Sequence, residues 1–318
     1  MTGGPGAAEL AANDDSRSQP HRLFVFGHGY SAGRFAARLP ASGISGVTTR
    51  SPDKAAGLAA HGLKPFIFDS AAPGPGIDAA LFRTTHLVMS IAPDGEAAGD
   101  GVLHWYRDEI AHGAPDLSWI AYLSTVGVYG DHAGEWVDET TVPAPVSLRS
   151  RQRLAAEEGW RRLADEMGVP LAIVRLSGIY GPGRNAFVNL KAGKARRLVK
   201  PGQVFNRIHV DDIASALGFL MNRRADGIFN VTDNEPAPPQ DVVTLAAELA
   251  GVDAPPEQDF ATAELGPMAR SFYGENKRVR NRLMLLLGAV VAALVVMLDD
   301  SAMRSSMSIW YASTVMYR

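Results

Sequence analysis

The sequence of 318 residues contains no cysteine. Disulfide bonds, thiolate metal sites, iron–sulfur clusters and cysteine nucleophiles are therefore excluded, and a reducing cytoplasm is the expected compartment. An excess of positive charge is also absent, since the formal net charge is −3, so we expect no nucleic-acid partner. We predict no metal site. Hydrophobic residues make up 46% of the chain, which is enough to build a folded core and excludes disorder of the whole chain.

The two ends of the sequence differ in composition from the middle. Residues 1–21 are small, polar and rich in glycine, which predicts a disordered lead-in and no secretory signal. Residues 283–298 form an uncharged apolar run of 16 residues, shorter than the roughly 20 residues that usually span a bilayer. We therefore describe residues 281–318 as an atypical apolar tail. A buried helix or strand pair is favoured there over a membrane anchor.

Short apolar segments alternate with helical patterns between residues 22 and 180. Such alternation is typical of an α/β fold with a doubly wound parallel sheet. From Gly181 the pattern loosens, and proline pairs interrupt it. This change indicates a second, smaller region of mixed α/β structure.

A glycine-rich turn follows the first predicted strand directly. Its spacing is G-x-G-x-x-A, between an apolar strand and a helix, which is the context of a dinucleotide-binding fingerprint. The first glycine permits a tight turn, the second lets the backbone approach a diphosphate, and the helix start offers free N–H groups. A merely structural glycine turn is the alternative. The residues assigned to cofactor binding in this turn are Gly27, Gly29, Tyr30, Ser31 and Ala32.

The end of the second predicted strand indicates which dinucleotide binds. NAD sites usually place Asp or Glu there to hold the ribose hydroxyls, whereas this chain has Arg50 followed by Ser51. A guanidinium cannot accept a hydrogen bond from a ribose hydroxyl, but it can pair with a 2′-phosphate. We therefore predict NADP as the cofactor, with NAD as the alternative. A solvated surface arginine is the other explanation of Arg50.

Further along the chain, several motifs occur in the order known from extended short-chain dehydrogenases/reductases. They are residues 122–131 (YLSTVGVYGD), 134–139 (GEWVDE), 175–183 (RLSGIYGPG) and 207–214 (RIHVDDIA). The sequence most resembles the atypical, YeeZ-like branch of the NAD(P)-dependent epimerases/dehydratases, over about residues 22–280. The resemblance implies a Rossmann domain over residues 22–180, to which residues 205–232 partly return, and a C-terminal substrate lobe over residues 181–280.

The resemblance also implies roles for single residues. Thr125 matches the hydroxyl that orients the substrate carbonyl. Asp69, at the end of the third predicted strand, matches the acid that meets the adenine amine. Ser124, Ile91 and Ala92 would line the cofactor, because all three lie at carboxyl ends of strands, where parallel sheets bind ligands.

The sequence departs from the family at its Tyr-x-x-x-Lys motif. In the alignment Arg149 stands at the tyrosine position and Arg153 at the lysine position. Arginine stays protonated in proteins, so Arg149 cannot pass a proton, but it can hold an oxyanion or a carboxylate. Either another group supplies the proton, or the protein is a catalytically weak NADP(H)-binding sensor or interaction protein. The other candidate donors are Tyr129, Tyr180, His132 and Asp100.

Basic residues are frequent at the start of the predicted substrate lobe. They are Arg184, Lys191, Lys194, Arg196, Arg197 and Lys200. The cluster is either a solvated helix face or a site for an anionic substrate, such as a phosphate or a sugar nucleotide. We predict an oxidoreductase or epimerase/dehydratase acting on a small polar substrate, with Tyr129 and Arg184 in contact with it. A homodimer is expected from the resemblance.

Overall fold

The computed structural model describes residues 21–93 and 99–286. The strands are β1 (Leu23–Phe26), β2 (Ile44–Thr49), β3 (Pro65–Ile67), β4 (His86–Met89), β5 (Trp119–Thr125), β6 (Trp136–Val137), β7 (Leu171–Leu176), β8 (Gly178–Tyr180), β9 (Arg197–Val199), β10 (Arg207–His209), β11 (Gly227–Val231), β12 (Glu257–Asp259) and β13 (Arg278–Val279). The α-helices are α1 (Tyr30–Ala36), α2 (Pro52–Ala60), α3 (Ile77–Leu81), α4 (Gly101–Gly113), α5 (Leu148–Met167), α6 (Ala186–Lys191), α7 (Val210–Asn222), α8 (Pro239–Ala250), α9 (Pro267–Ser271) and α10 (Arg282–Leu286).

Within the described residues, a parallel sheet of seven strands forms the centre of the fold. Its order is β11-β7-β5-β4-β1-β2-β3, and every neighbouring pair is parallel. The doubly wound parallel sheet predicted from the sequence is thereby confirmed. Strands β1, β4 and β7 are buried along their whole length, since helices cover both faces of such a sheet.

Two hydrophobic layers lie on opposite faces of the sheet. On one face Val25 of β1 packs with side chains of α1 and α7, such as Phe35 and Leu217. On the other face Phe26 packs with side chains of α4 and α5, such as Tyr106 and Trp160. Neighbouring residues of one strand join different layers because side chains alternate along a strand.

The chain returns to the central sheet after residue 205. Helix α7 packs against α1, and β11 pairs in parallel with β7 at the edge of the sheet. The remaining strands form pairs outside it, namely β8 with β10, β9 with β12 and β6 with β13. These pairs place the segments after residue 180 beside the carboxyl ends of β5 and β7.

The start of the apolar tail packs on the core. In α10 the Met284 side chain is fully buried, and Leu283 packs against the same layer as Val25. The rest of the apolar run and residues 1–20 of the predicted lead-in lie outside the described residues. No helix of the described part is long and apolar enough to cross a membrane.

Candidate functional site

A large cavity opens at the carboxyl edge of the sheet. Its volume is about 2050 Å³, roughly twice the upper end of the ~300–1,000 Å³ of ordinary ligand pockets. Residues that follow β1, β2, β4, β5 and β7 line one side, and residues from the segments after Tyr180 line the other. The cavity therefore has room for a dinucleotide and a second molecule.

The predicted glycine turn forms part of the cavity wall. Gly27 has φ +89°, and a Cβ there would lie 2.8 Å from Cγ1 of Ile91. Its N–H donates a hydrogen bond of 2.7 Å to Oγ1 of Thr48. A Cβ at Gly29 would have only the carbonyl oxygen of Gly27 within 4 Å, at 3.9 Å. The backbone at Gly29 is therefore open to the cavity, as close approach by a diphosphate requires.

The residues after β2 present positive charge to the cavity. Arg50, Ser51 and Lys54 all line it. The Ser51 hydroxyl caps α2 by accepting a hydrogen bond of 3.2 Å from the Lys54 N–H. The Lys54 ammonium donates to the carbonyl oxygen of His28 in the glycine turn. Arg50 is exposed on the cavity wall. Asp69, Ile91 and Ala92 line the same part of the cavity.

Thr125, Arg149 and Arg153 meet in the cavity wall. Oγ1 of Thr125 accepts a hydrogen bond of 3.1 Å from the Gly127 N–H. Arg153 donates to the carbonyl oxygen of Leu123 at 2.5 Å. One helical turn earlier on α5, the Arg149 side chain is exposed. The structure thus brings together the three residues that the sequence assigned to catalysis.

Ser124 does not line the cavity, in contrast to the sequence-based expectation. Its hydroxyl donates to Oε1 of Glu157 on α5. Glu157 is in turn paired with Arg175 at 2.7 Å. Because side chains alternate along β5, Thr125 reaches the cavity while Ser124 points to the helix that covers the sheet. Ser124 therefore takes part in a buried polar network.

Tyr129 also lies away from the cavity, so its assignment to substrate binding is corrected. The side chain is fully buried, and its hydroxyl donates a hydrogen bond of 2.8 Å to Oδ1 of Asn230. The Arg175 guanidinium carbon lies 4.8 Å from the centre of its ring. Tyr129 thus joins the turn after β5 to β11.

The side chains that follow Gly29 point away from the cavity. Ala32 is buried in the layer beneath α1, and Ser31 is buried as well. Tyr30 donates from its hydroxyl to the carbonyl oxygen of Pro182 at 2.9 Å. None of these three residues lines the cavity, so their assignment to cofactor binding is not supported by the lining of the cavity. Arg184 lines the cavity, as expected.

Of the four candidate proton donors, Tyr180 is the residue that lines the cavity. Asp100 is a buried cap of α4, and His132 lies half-buried against the carbonyl oxygen of Tyr129. Burial and the neighbouring Asp233 carboxyl raise the pKa of Tyr180 well above its usual range. The Tyr180 hydroxyl therefore keeps its proton at neutral pH.

Asp233, which sequence reasoning missed, lies directly behind Tyr180. It is only 1% exposed, and burial raises its pKa to about 7. Neither carboxyl oxygen has hydrogen-bond geometry with a described residue, although the group faces the Tyr180 hydroxyl. One signal was present: the residue follows β11 closely, at the carboxyl edge of the sheet, as Asp69 does after β3.

The basic cluster divides into two groups. Arg184, Lys194 and Arg196 line the cavity, whereas the others, including the exposed Lys191, do not. Arg197 is paired with Glu257 at 2.6 Å, and Lys200 donates to a backbone carbonyl, so these two are structural. The cavity also contains two cations that sequence reasoning missed, which are Arg207 and Lys277. The excess of cations favours an anionic ligand.

Comparison with known proteins places this fold and site in a family. A model of the NAD-dependent epimerase/dehydratase family matches residues 104–232. The structure of a functionally unknown conserved protein from Silicibacter pomeroyi shares 44% identity, covers 92% of this chain and 99% of that chain, and has a TM-score of 0.75. The chain belongs to the NAD-dependent epimerase/dehydratase family. The epimerase/dehydratase family expected from the sequence motifs is thereby confirmed.

Two solved structures with lower identity share the fold of this family. The dTDP-glucose 4,6-dehydratase DesIV from Streptomyces venezuelae, with NAD and TYD bound, has 16% identity and a TM-score of 0.66 over 92% of this chain and 97% of its own. The UDP-glucuronic acid 4-epimerase from Bacillus cereus, in complex with NAD, has 15% identity and a TM-score of 0.65 over 86% and 94%. No curated protein matches the chain.

Proposed function

We propose that this family member binds NADP and carries out hydride-transfer chemistry on a small polar substrate that has an anionic group. The observation that carries the proposal is one continuous cavity lined by Gly27, Arg50, Thr125 and Arg149. One part of this cavity is a glycine turn that fits a dinucleotide. Another part contains a hydroxyl and cations that fit a reacting oxygen. Sugar nucleotides are the first substrates to test, because solved members of the fold are sugar-nucleotide epimerases and dehydratases.

The residues of the cavity fit a dinucleotide that has a 2′-phosphate. A Cβ at Gly27 would clash with Ile91, so the close packing of turn and strand depends on glycine at this position. Arg50 offers a planar fork for a phosphate, and Lys54 adds positive charge beside it. This chemistry supports NADP over NAD.

The chain supplies orientation and charge at the reacting centre. When bound, the nicotinamide supplies or accepts a hydride. The Thr125 hydroxyl is placed to donate a hydrogen bond to a substrate oxygen, which fixes its position. Arg149 offers a permanent cation that stabilises negative charge on such an oxygen or holds a substrate carboxylate. Arg153, anchored on Leu123, supports this arrangement from the base of α5.

Tyr180 is our candidate for the proton donor that Arg149 cannot be. It is the one of the four candidate donors that lines the cavity, and its hydroxyl carries a proton at neutral pH. The pKa of about 7 of Asp233 lies near neutral pH, which suits a group that returns a proton to Tyr180. Together the two side chains would replace the Tyr-x-x-x-Lys motif.

A second candidate function is NADP(H) sensing without efficient turnover. The observation that favours it is the pair Arg149 and Arg153 at the positions where the family chemistry needs a tyrosine and a lysine. Both functions require the cofactor. They differ in whether the bound dinucleotide is oxidised or reduced when a substrate is supplied. A homodimer, a cytoplasmic location and the absence of a nucleic-acid partner remain predictions.

Cofactor binding is the first test. We expect wild-type protein to bind NADPH more tightly than NADH in a fluorescence titration. Arg50→Ala should lose about tenfold or more in NADPH affinity and little in NADH affinity, because a charge-assisted hydrogen bond to the 2′-phosphate is removed. Arg83→Ala is the matched control, since Arg83 is an exposed arginine outside the cavity.

The outcomes separate the proposals. Failure of the wild type to bind either dinucleotide would overturn both functions. Equal affinities for NADPH and NADH that Arg50→Ala leaves unchanged would overturn the choice of NADP. With binding established, turnover on a panel of sugar nucleotides, aldehydes and keto acids supports the enzyme, and tight binding without turnover supports the sensor.

A further inference from the structure

The turn between β8 and α6 is a closed, rigid unit. Gly181 and Arg184 exchange two backbone hydrogen bonds, of 3.0 and 2.9 Å. The Asn185 side chain donates a third bond, of 3.0 Å, to the carbonyl oxygen of Gly181. Gly183 has φ +74°, a conformation that glycine adopts without strain. The backbone of Arg184 is therefore fixed before any ligand arrives.

This turn packs directly on Tyr30, the residue after Gly29 of the glycine turn. The Tyr30 hydroxyl donates to the carbonyl oxygen of Pro182 at 2.9 Å. A Cβ at Gly181 would lie 2.7 Å from the same hydroxyl oxygen. The guanidinium carbon of Arg184 lies 4.5 Å from the centre of the Tyr30 ring, within the range of a cation–π contact. A segment from the second half of the chain is thereby attached to the cofactor turn.

No carboxylate of the described residues neutralises the charge of Arg184. Among the described residues no carboxylate lies within ion-pair distance of it, whereas Arg34 on α1 forms such a pair with Asp211 and Arg197 forms one with Glu257. A guanidinium that stacks on an aromatic ring keeps its N–H edge available for a planar anion. Arg184 also lines the cavity. Within the described part of the chain, Arg184 is therefore a positioned cation without a carboxylate partner.

We propose that Arg184 binds the diphosphate of the dinucleotide, with Tyr30 holding its guanidinium in place. This inference rests on the proposed function, since it takes the glycine turn as the cofactor site. It moves Arg184 from the predicted substrate contacts to the cofactor contacts. Because the same turn leads into α6 and the cationic side of the cavity, the bound cofactor would also fix the wall against which the substrate packs.

Fragments of the cofactor give a test that needs no substrate. Adenosine 2′-monophosphate contains the 2′-phosphate but no diphosphate, whereas 2′-phospho-ADP-ribose contains both. We expect Arg184→Ala to lower the affinity for NADPH and for 2′-phospho-ADP-ribose by about tenfold or more. The affinity for adenosine 2′-monophosphate should stay unchanged. Arg50→Ala should lower the affinity for all three ligands. Binding is measured by calorimetry or fluorescence titration on the full chain, with Arg83→Ala as the control.

Variants of Tyr30 test how the arginine is held. Tyr30→Phe keeps the ring and should retain most of the NADPH affinity. Tyr30→Ala should lose as much NADPH affinity as Arg184→Ala does. Arg184→Lys keeps the charge but not the planar fork, so we expect an intermediate loss. A thermal unfolding curve of each variant checks that the fold persists.

Three results would overturn the inference. In the first, Arg184→Ala binds NADPH with wild-type affinity. In the second, that variant loses as much affinity for adenosine 2′-monophosphate as for NADPH. In the third, Tyr30→Ala binds NADPH with wild-type affinity. Each of them leaves the proposed function intact, because the wild type still binds the dinucleotide. Absence of binding by the wild type would instead remove the proposed function and this inference together.

Discussion

Arg175 and Glu157 form a buried ion pair between β7 and α5. Their side chains are 2% and 3% exposed, and the nitrogen–oxygen distance is 2.7 Å. Two charges are tolerated there because each neutralises the other and the Ser124 hydroxyl adds a hydrogen bond. The pair ties α5, which carries Arg149 and Arg153, to β7. The pair therefore holds in position the part of the cavity wall that contains Arg149 and Arg153.

We expect Glu157→Ala to lower the free energy of unfolding by about 3–5 kcal/mol, since it leaves the Arg175 charge buried without a partner. Urea denaturation followed by circular dichroism measures the change. Glu158→Ala is the control, because Glu158 is exposed on the next position of the same helix and should change stability by at most about 0.5 kcal/mol. Equal losses in the two variants would contradict a buried-pair effect.

At the scale of elements, Asp100 joins two helices of the same layer. Its Oδ1 accepts hydrogen bonds from the N–H groups of Val102 and Leu103, at 2.9 and 3.1 Å, and so caps α4. Its Oδ2 accepts from Nε1 of Trp160 on α5 at 3.0 Å. Burial raises the pKa of Asp100 despite these donors. The residue that the sequence offered as a proton donor is thus part of the helix packing.

Asp100→Ala should destabilise the protein by about 1–3 kcal/mol, because both the cap and the partner of Trp160 are lost. The same variant should bind NADPH with wild-type affinity, since Asp100 does not line the cavity. Thermal unfolding and the NADPH titration provide the two measurements. A loss of cofactor affinity at unchanged stability would assign Asp100 to the site instead.

At the scale of the whole molecule, the protonation of Asp233 makes the stability of the folded state depend on pH. The charged and titratable groups around its carboxyl are Tyr180, Asp212, His209 and Arg207. Burial raises the pKa of Asp233 from 3.8 to about 7. Because the folded state then binds a proton that the unfolded state has released, the contribution of this group to stability falls as the pH rises from about 4 to 7.

Asp233→Asn should remove that pH dependence. We expect the variant to be at least as stable as the wild type at pH 8, where the wild type holds an unpaired buried carboxylate at a cost of about 1–3 kcal/mol. At pH 5 the two proteins should differ less. Urea denaturation at both pH values tests this, with Asp241→Asn, an exposed carboxyl at the start of α8, as the control. An unchanged pH difference in Asp233→Asn would contradict the raised pKa.

The sequence by itself determined the features that depend on neighbours along the chain. Apolar runs bounded by turns predicted the strands of the central sheet before residue 180 but not β11, and the spacing of Gly27 and Gly29 predicted the cofactor turn. Arg50 was found because it directly follows a strand. Such signals are local: a strand, a cap or a tight turn is specified by the few residues that form it.

Only the tertiary structure decided which side chains face the cavity. Ser124 and Thr125 are adjacent, yet the alternation of β5 and the position of α5 send one to Glu157 and the other to the site. The hydrogen bond from Tyr30 to Pro182 joins residues that are 152 positions apart. These contacts arise when distant segments pack together at the carboxyl edge of the sheet, and no local pattern encodes which of them will meet there.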